Sequence, residues 1–381
     1  MGQSYCCIFA AKAVDWPGAN RLKFTCGYSR GFGSAVAKRA RRKIYEREKR
    51  RVVRHGAKAR PHLMRPGRTI YVRVEAPASL DLFGRADLRS AASHLLSRIR
   101  RHSRRANVGI RLDLSRVVEI WSPTALMIRA EIDRAIAGTR VAKPFLCVRP
   151  DDDRMDEVFA QIGLYDSIDE PCEVNSDRDD VKHWRLATGV LSEGEQGGSM
   201  LESYKGRLAD RLERGLYEGI VEAMTNTVHH AYEGSHGNRL RHMIGKRWWL
   251  LSQERDGLLT VAICDLGIGI AESLPRSGTF TVDAVRQFLK GNGLSSNDAN
   301  AIRAAVELGN TRTKIAGRGR GLHDIVEAAN LSAGGSVMIG SNRGVFTVAD
   351  GKSYARNFDD SVRGTIIWWV VRIADNEQDG A

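Results

Sequence analysis

Between residues 69 and 164, segments with the hydrophobic pattern of strands alternate with segments that have the hydrophobic pattern of helices. Three segments have the alternating or continuous hydrophobic pattern of β-strands: residues 69–77, 107–115 and 143–150. Three others repeat hydrophobic positions every three to four residues, as helices do: residues 86–105, 123–138 and 153–164. Strands that alternate with helices predict a small α/β domain.

A polar, glycine-containing stretch from Cys172 to Gly206 separates this region from a second series of elements. One strand pattern, residues 182–191, interrupts the polar stretch. The second series begins with an amphipathic helix that reaches Ala231. Two strands follow, at 248–251 and 258–263 around a turn at 254–257, and a last strand is predicted at 364–373.

The amphipathic helix of the second region has one hydrophobic and one polar face. Placed at 100° per residue, five polar side chains fall within about 120° of one another: Glu218, Glu222, Asn226, His229 and His230. The opposite side includes Leu216, Ile220 and Met224. Any surface helix has this pattern, so the segment alone does not separate a site from a solvated face.

Two glycine motifs follow that helix. Residues 264–275 (CDLGIGIAESLP) end a buried strand with Asp265, whose carboxylate could accept a hydrogen bond from an exocyclic amine, and continue in a D-x-G-x-G turn. Residues 317–329 (GRGRGLHDIVEAA) place three alternate glycines before a helix, where backbone N–H groups and the helix dipole favour phosphate. Taken singly, the first motif also fits a plain turn and the second a flexible linker.

The polar helix, the D-x-G-x-G turn and the glycine-rich loop, in this order, resemble the motifs of the GHKL superfamily of gyrase, heat-shock chaperone, histidine kinase and MutL ATPases. The resemblance covers residues 178–375. It implies a Bergerat-fold α/β sandwich over residues 173–377, with a mixed sheet covered by helices on one face. Residues 222–233 (EAMTNTVHHAYE) are most similar to the corresponding motif of the anti-sigma-factor serine kinases.

This resemblance implies a role for each motif residue. Glu222 would be the general base of phosphoryl transfer, with Glu218 as the alternative, and Asn226 would bind Mg²⁺ and ATP. Asp265 would accept the adenine amino group. The other ATP-binding positions would be His230, Gly267, Gly269, Lys314, Gly317, Gly319, Gly321, Leu322 and Thr365. Residues 271–316 would form a lid over the bound ATP that carries Arg312 and Lys314. His230 could contact a phosphate or have no catalytic role, and both alternatives stay open.

The N-terminal α/β region also resembles a known fold. Residues 110–132 (IRLDLSRVVEIWSPTALMIRAEI), followed by a strand and residues 158–168 (VFAQIGLYDSI), are similar to the STAS fold of anti-sigma-factor antagonists, over residues 68–172. The phosphoacceptor serine of that family aligns with Pro123, which has no hydroxyl, although Ser122 or Thr124 could replace it. We therefore expect a STAS-like interaction module more than a phosphorylation switch.

The net charge of +14 is concentrated at the N-terminal end. Residues 1–68 carry 18 Lys/Arg and 3 Asp/Glu, and the rest of the chain is close to neutral with 41 and 42. Within this basic arm (residues 1–67), residues 38–60 could neutralise the phosphates of nucleic acid. A solvated tail fits the composition equally well, and no DNA-binding motif is recognisable.

Six cysteines lack the C-x-x-C spacing of zinc sites, and no hydrophobic run approaches the roughly 20 residues that span a bilayer. We expect a cytoplasmic protein that binds no membrane.

Three functions stay open: a serine/threonine kinase or slow ATPase that acts with a STAS-domain or sigma-factor-like partner, a nucleotide-gated interaction switch, and a nucleic-acid-associated ATPase. A homodimer is compatible with each. A histidine kinase is disfavoured because no long helix with a His-Glu or His-Asp acceptor precedes the second region.

Overall fold

The structure is a computed structural model that describes residues 69–170, 183–192, 194–276, 281–311 and 321–374, and also residues 172, 176, 178, 180 and 181. The basic arm lies outside the described residues. Four predicted phosphate-side residues also lie outside them: Arg312, Lys314, Gly317 and Gly319.

The N-terminal unit, residues 69–170, is built on parallel strands. A three-stranded sheet has the order β1 (Ile70–Glu75), β3 (Val108–Asp113), β5 (Phe145–Val148), and a short parallel pair joins β2 (Ser79–Leu80) to β4 (Glu119–Ile120). Its helices are α1 (Ala86–His102), α2 (Ser122–Gly138), α3 (Asp153–Gln161) and α4 (Leu164–Ser167). The predicted alternation of strands and helices is confirmed, except that the predicted third helix divides where Gly163 adopts a φ of 68°.

The C-terminal unit contains a seven-stranded sheet. Its strands are β6 (Arg185–Gly189), β7 (Trp248–Arg255), β8 (Leu258–Asp265), β9 (Ser336–Ser341), β10 (Gly344–Ala349), β11 (Lys352–Asn357) and β12 (Thr365–Arg372), in the order β11-β10-β9-β12-β8-β7-β6. Its helices are α5 (Glu195–Leu201), α6 (Asp210–Asn226), α7 (Gly234–Ile244), α8 (Ile270–Ser273), α9 (Val282–Gly291), α10 (Asp298–Thr311) and α11 (Gly321–Asn330). Of all the described helices, none is long and apolar enough to cross a membrane.

The expectation of a mixed sheet is wrong for this seven-stranded sheet, because each of its neighbouring strand pairs is antiparallel. Tight hairpins account for much of this pattern. Asp256-Gly257 joins β7 to β8 and Asp350-Gly351 joins β10 to β11, with positive φ at both residues of each turn. Two-residue turns of this kind match the twist of antiparallel strands.

The seven-stranded sheet is covered on both faces, so the expectation of helices on one face only is also wrong. One face packs on α6, α10 and α11, and the other packs on α2 of the N-terminal unit. The tryptophan pairs 248–249 and 368–369 place one ring on each face, because successive strand residues point in opposite directions. Helix α2 is buried over most of its surface, including the charged residues Glu131 and Arg134.

Specific contacts join the two units across this second face. The indole Nε1 of Trp249 donates to Asp133 Oδ2 at 2.8 Å, and the rings of Phe83 and Trp368 lie 4.5 Å apart. Arg100 Nη2 donates to the backbone carbonyl of Val362 at 2.7 Å. The N-terminal unit therefore docks on its own chain through a continuous hydrophobic core with polar contacts at its edge.

Candidate functional site

Helix α6 carries the predicted base and the predicted metal ligand one turn apart. The Nδ2 atom of Asn226 donates to Oε1 of Glu222 at 3.3 Å, and both side chains are half-buried. This bond uses the nitrogen of the amide, so the carbonyl oxygen Oδ1 is the end of the side chain suited to a cation. Glu218, the alternative base, lies on the exposed part of the helix.

The helix changes its winding immediately after Asn226. Residues Thr227–Ala231 form a π-helical turn, which is uncommon and occurs frequently at functional sites. A uniform rotation of 100° per residue therefore does not hold for the two histidines. His229 is exposed and His230 is half-buried, with an Nδ1 atom that has no hydrogen-bond partner within the described part of the chain.

Two basic groups lie close together beside this turn. Burial lowers the pKa of His230, with further lowering by His229 and Lys246 and an opposing effect of Glu233. Lys246 donates from Nζ to the carbonyl of Val228, and burial lowers its pKa also. The neutral form of His230 is therefore favoured while no anion lies beside it.

Asp265 ends β8 as a buried carboxyl group. Burial raises its pKa to about 7, against the opposing effect of backbone N–H groups of Gly267 and Thr365. The Gly267 N–H donates to Oδ1 at 2.7 Å. Thr365 is the direct partner of Asp265 in the pairing of β8 with β12, so the two predicted site residues lie side by side.

The D-x-G-x-G turn contacts the π-helical turn directly. Ile268 N–H donates to the carbonyl oxygen of Ala231 at 2.8 Å. A Cβ atom at Gly267 would lie 2.2 Å from that same oxygen, so only glycine allows this approach. Two motifs that are more than thirty residues apart in sequence therefore share one backbone contact.

The other end of the D-x-G-x-G turn is held by two residues that sequence reasoning missed, Ser341 and Asn342. Ser341 Oγ accepts from Ile270 N–H at 2.8 Å, and Asn342 Nδ2 donates to the Ile268 carbonyl at 2.9 Å. At Gly269, with a φ of 84°, an added Cβ would lie 2.3 Å from Asn342 Nδ2. A Ser-Asn pair at a strand end has no distinguishing pattern, so only the folded chain identifies it.

Helix α11, which follows the glycine-rich loop, runs antiparallel to α6. Ideal Cβ atoms at Gly215 and Gly219 would lie 3.6 and 3.7 Å from the Cα atoms of Ala328 and Ile325, respectively. Continuing this pairing by one turn places the N-terminus of α11, at Gly321, beside the turn of α6 that carries Glu222. Leu322 is half-buried against the core between these helices.

The described residues thus bring together the candidates on α6, the D-x-G-x-G turn, Thr365 and the start of α11. They contain no cluster of three or more His, Cys, Asp or Glu side chains suited to a metal. A scan against protein-family models gives no match for this sequence, and a search of curated proteins gives no significant match.

Proposed function

We propose that residues 173–377 form a GHKL-type Bergerat fold that binds Mg-ATP and transfers its γ-phosphoryl group, and that residues 68–172 form a STAS-like module. The acceptor would be water or a serine or threonine of a protein partner, of the STAS-domain or sigma-factor-like kind. The observation that carries the proposal is the contact between Ala231 and Gly267. It joins the helix of the predicted base to the turn of the predicted adenine-binding carboxylate.

The side chains at this place have the chemistry that the ligand needs. Asp265 is a buried acceptor suited to an exocyclic amine, and the N-terminus of α11 favours negative charge. Magnesium accepts few protein ligands when phosphates and waters supply the rest, so the single amide oxygen of Asn226 suits it. Bound Mg²⁺ would neutralise charge on the phosphates. Glu222 would take the proton of the attacking hydroxyl group.

A nucleotide-gated interaction switch is the second candidate, and the state of the N-terminal unit favours it. Ser122 and Thr124, the possible replacements for the missing phosphoacceptor, are 5% and 0% exposed. Thr124 Oγ1 also accepts a hydrogen bond from Leu82 N–H at 3.0 Å. A docked N-terminal unit without an accessible acceptor hydroxyl suits a protein in which ATP changes a binding surface. A partner would then bind the ATP-bound and ATP-free states with unequal affinity.

Incubation with γ-labelled ATP and Mg²⁺, with and without candidate STAS-domain partners, tests both functions. We expect Asn226→Ala to lose Mg²⁺-dependent ATP binding, and Glu222→Gln to bind ATP without turnover. Glu218→Gln is the matched control and should behave as wild type. Loss of turnover in Glu218→Gln alone would transfer the role of base to that residue.

Two further outcomes decide between the functions. A wild-type protein that binds ATP but yields neither phosphate nor phosphoprotein would exclude the kinase and retain the switch. An Asp265→Ala variant with unchanged ATP affinity would show that the pocket is assigned wrongly.

A further inference from the structure

A second candidate site lies at the C-terminal end of α1, on the seam between the two units. It is a cavity of about 230 Å³, open to solvent, lined by Ser97, Arg100, Arg101, Arg104 and Arg363. The first four residues belong to α1 or follow it, whereas Arg363 comes from the segment before β12. Neither Asn226 nor Asp265 lines this cavity, so it is distinct from the candidate nucleotide site.

Two buried arginines near this cavity share a single carboxylate. Arg100 and Arg134 each donate from Nε to Glu131, both at 2.6 Å. Arg100 Nη1 and Arg134 Nη2 are buried, and neither has a hydrogen-bond partner among the described residues. Buried charges are normally paired, so this group has one positive charge and two N–H donors in excess.

The surrounding groups make the potential at this place more positive. The pKa of Arg104 is lowered by burial and then by the charges of Arg134, Arg239 and Arg363, with Glu131 opposing. The pKa of His236 is lowered by burial and by Arg239, Arg363 and Arg104, with Glu272 opposing. Among the described residues, no acidic side chain lines the cavity.

Stabilisation of the C-terminal end of α1 explains only some of these arginines. Cations near a helix C-terminus interact favourably with its dipole, which accounts for Arg101 and Arg104. It does not account for Arg363, which belongs to another element and adopts a φ of 57°, a conformation uncommon for residues other than glycine. Nor does it account for the unpaired donors of Arg100 and Arg134.

We propose that this arginine cavity binds a small phosphate anion with two or more negative charges, of the orthophosphate or pyrophosphate class. The volume is smaller than that of the pockets of about 300–1,000 Å³ that take drug-sized ligands. Guanidinium groups match phosphate oxygens in pairs and form charge-assisted hydrogen bonds with them. The bound anion would bridge α1 to the segment before β12 and so stabilise the contact between the units.

Calorimetric titration of the full chain with pyrophosphate, in EDTA and at constant ionic strength, tests this site. We expect saturable binding and a rise in the unfolding temperature. The double variant Arg104→Gln/Arg363→Gln should weaken binding at least about tenfold, because it removes two of the charged hydrogen-bond donors that would hold the anion. The charge-matched control Arg105→Gln/Arg116→Gln, with both changes at exposed residues that do not line the cavity, should change affinity by less than about twofold.

Three outcomes would overturn the site. Equal weakening in the control would mean that binding reflects overall positive charge, including that of the basic arm. Weakening in Asn226→Ala, with the Arg104/Arg363 variant unaffected, would place the anion at the candidate nucleotide site. Equal effects of pyrophosphate and chloride on wild-type stability would mean that no phosphate site exists.

Discussion

Arg89, on α1, donates a hydrogen bond to the backbone carbonyl of Asn342, in the turn between β9 and β10, at 3.2 Å. The same guanidinium group donates to the carbonyls of Asp360, at 3.1 Å, and Leu82. Burial lowers the pKa of Arg89 to about 10, so it remains charged at neutral pH. Because the Asn342 side chain donates to Ile268, one arginine of the N-terminal unit supports the turn that follows Asp265.

We expect Arg89→Met to destabilise the protein by about 2–4 kcal/mol, because buried carbonyl groups lose their donors. ATP affinity should fall as well, since the Asn342 turn loses its support. Urea unfolding and nucleotide titration measure the two effects. Arg85→Met, at an exposed residue one turn earlier, is the matched control and should change stability by less than about 0.5 kcal/mol. Equal stability of Arg89→Met and Arg85→Met would contradict the supporting role of Arg89.

Gly267→Ala should disrupt the contact between the two motifs. The added methyl group would lie 2.2 Å from the Ala231 carbonyl oxygen, so one of the two turns must move. We expect a loss of about 2–4 kcal/mol in unfolding free energy and weaker ATP binding. Gly291→Ala, where the new methyl group meets nothing within 4 Å, serves as the control and should be neutral or stabilising. A stable, ATP-binding Gly267→Ala protein would exclude this arrangement.

Stability should depend on pH through Asp265. Its pKa of about 7 in the folded protein exceeds the unfolded value near 4, so the folded state binds the additional proton. The contribution of Asp265 to stability is therefore complete below about pH 4 and is lost as pH rises through 7, by up to about 4 kcal/mol. Asp265→Asn should remove this dependence in denaturant unfolding measured from pH 4.5 to 8. Equal pH slopes for the two proteins would contradict the raised pKa.

Thr124→Val removes a hydrogen-bond acceptor inside the N-terminal unit. Valine keeps the shape of the side chain but leaves the buried Leu82 N–H without its acceptor. We expect a loss of about 1–3 kcal/mol in unfolding free energy. Neither Ser122 nor Thr124 should carry phosphate after incubation with ATP, as mass spectrometry of the native protein would show. Phosphate at either residue would mean that the buried start of α2 becomes accessible.

Local sequence was enough to predict some of the elements, whereas others, such as the strands β9, β10 and β11, were not predicted. Hydrophobic periodicity identified the helices at 86–102 and 122–138 and the strands at 248–255 and 365–372, with errors mainly at their ends. These patterns are informative because each element needs one hydrophobic side, whatever it packs against. The turns at Asp256-Gly257 and Asp350-Gly351 have the same local origin, since few other residue pairs accept positive φ twice.

Only the tertiary structure decided how those elements meet. The expected sheet was wrong in two respects, its strand directions and its second covered face. The pairing of β12 with β8 and the covering of the second face by α2 depend on partners distant in the chain. The pKa of Asp265 follows from burial among distant residues, and the roles of Arg89 and Asn342 follow from contacts across the seam. The hydrophobic pattern shows which side of a helix or strand is buried, but not which surface packs against that side. For that reason the sequence predicted Glu222, Asn226 and Asp265 as candidates, whereas the folded chain revealed the Ala231–Gly267 contact and the arginine cavity.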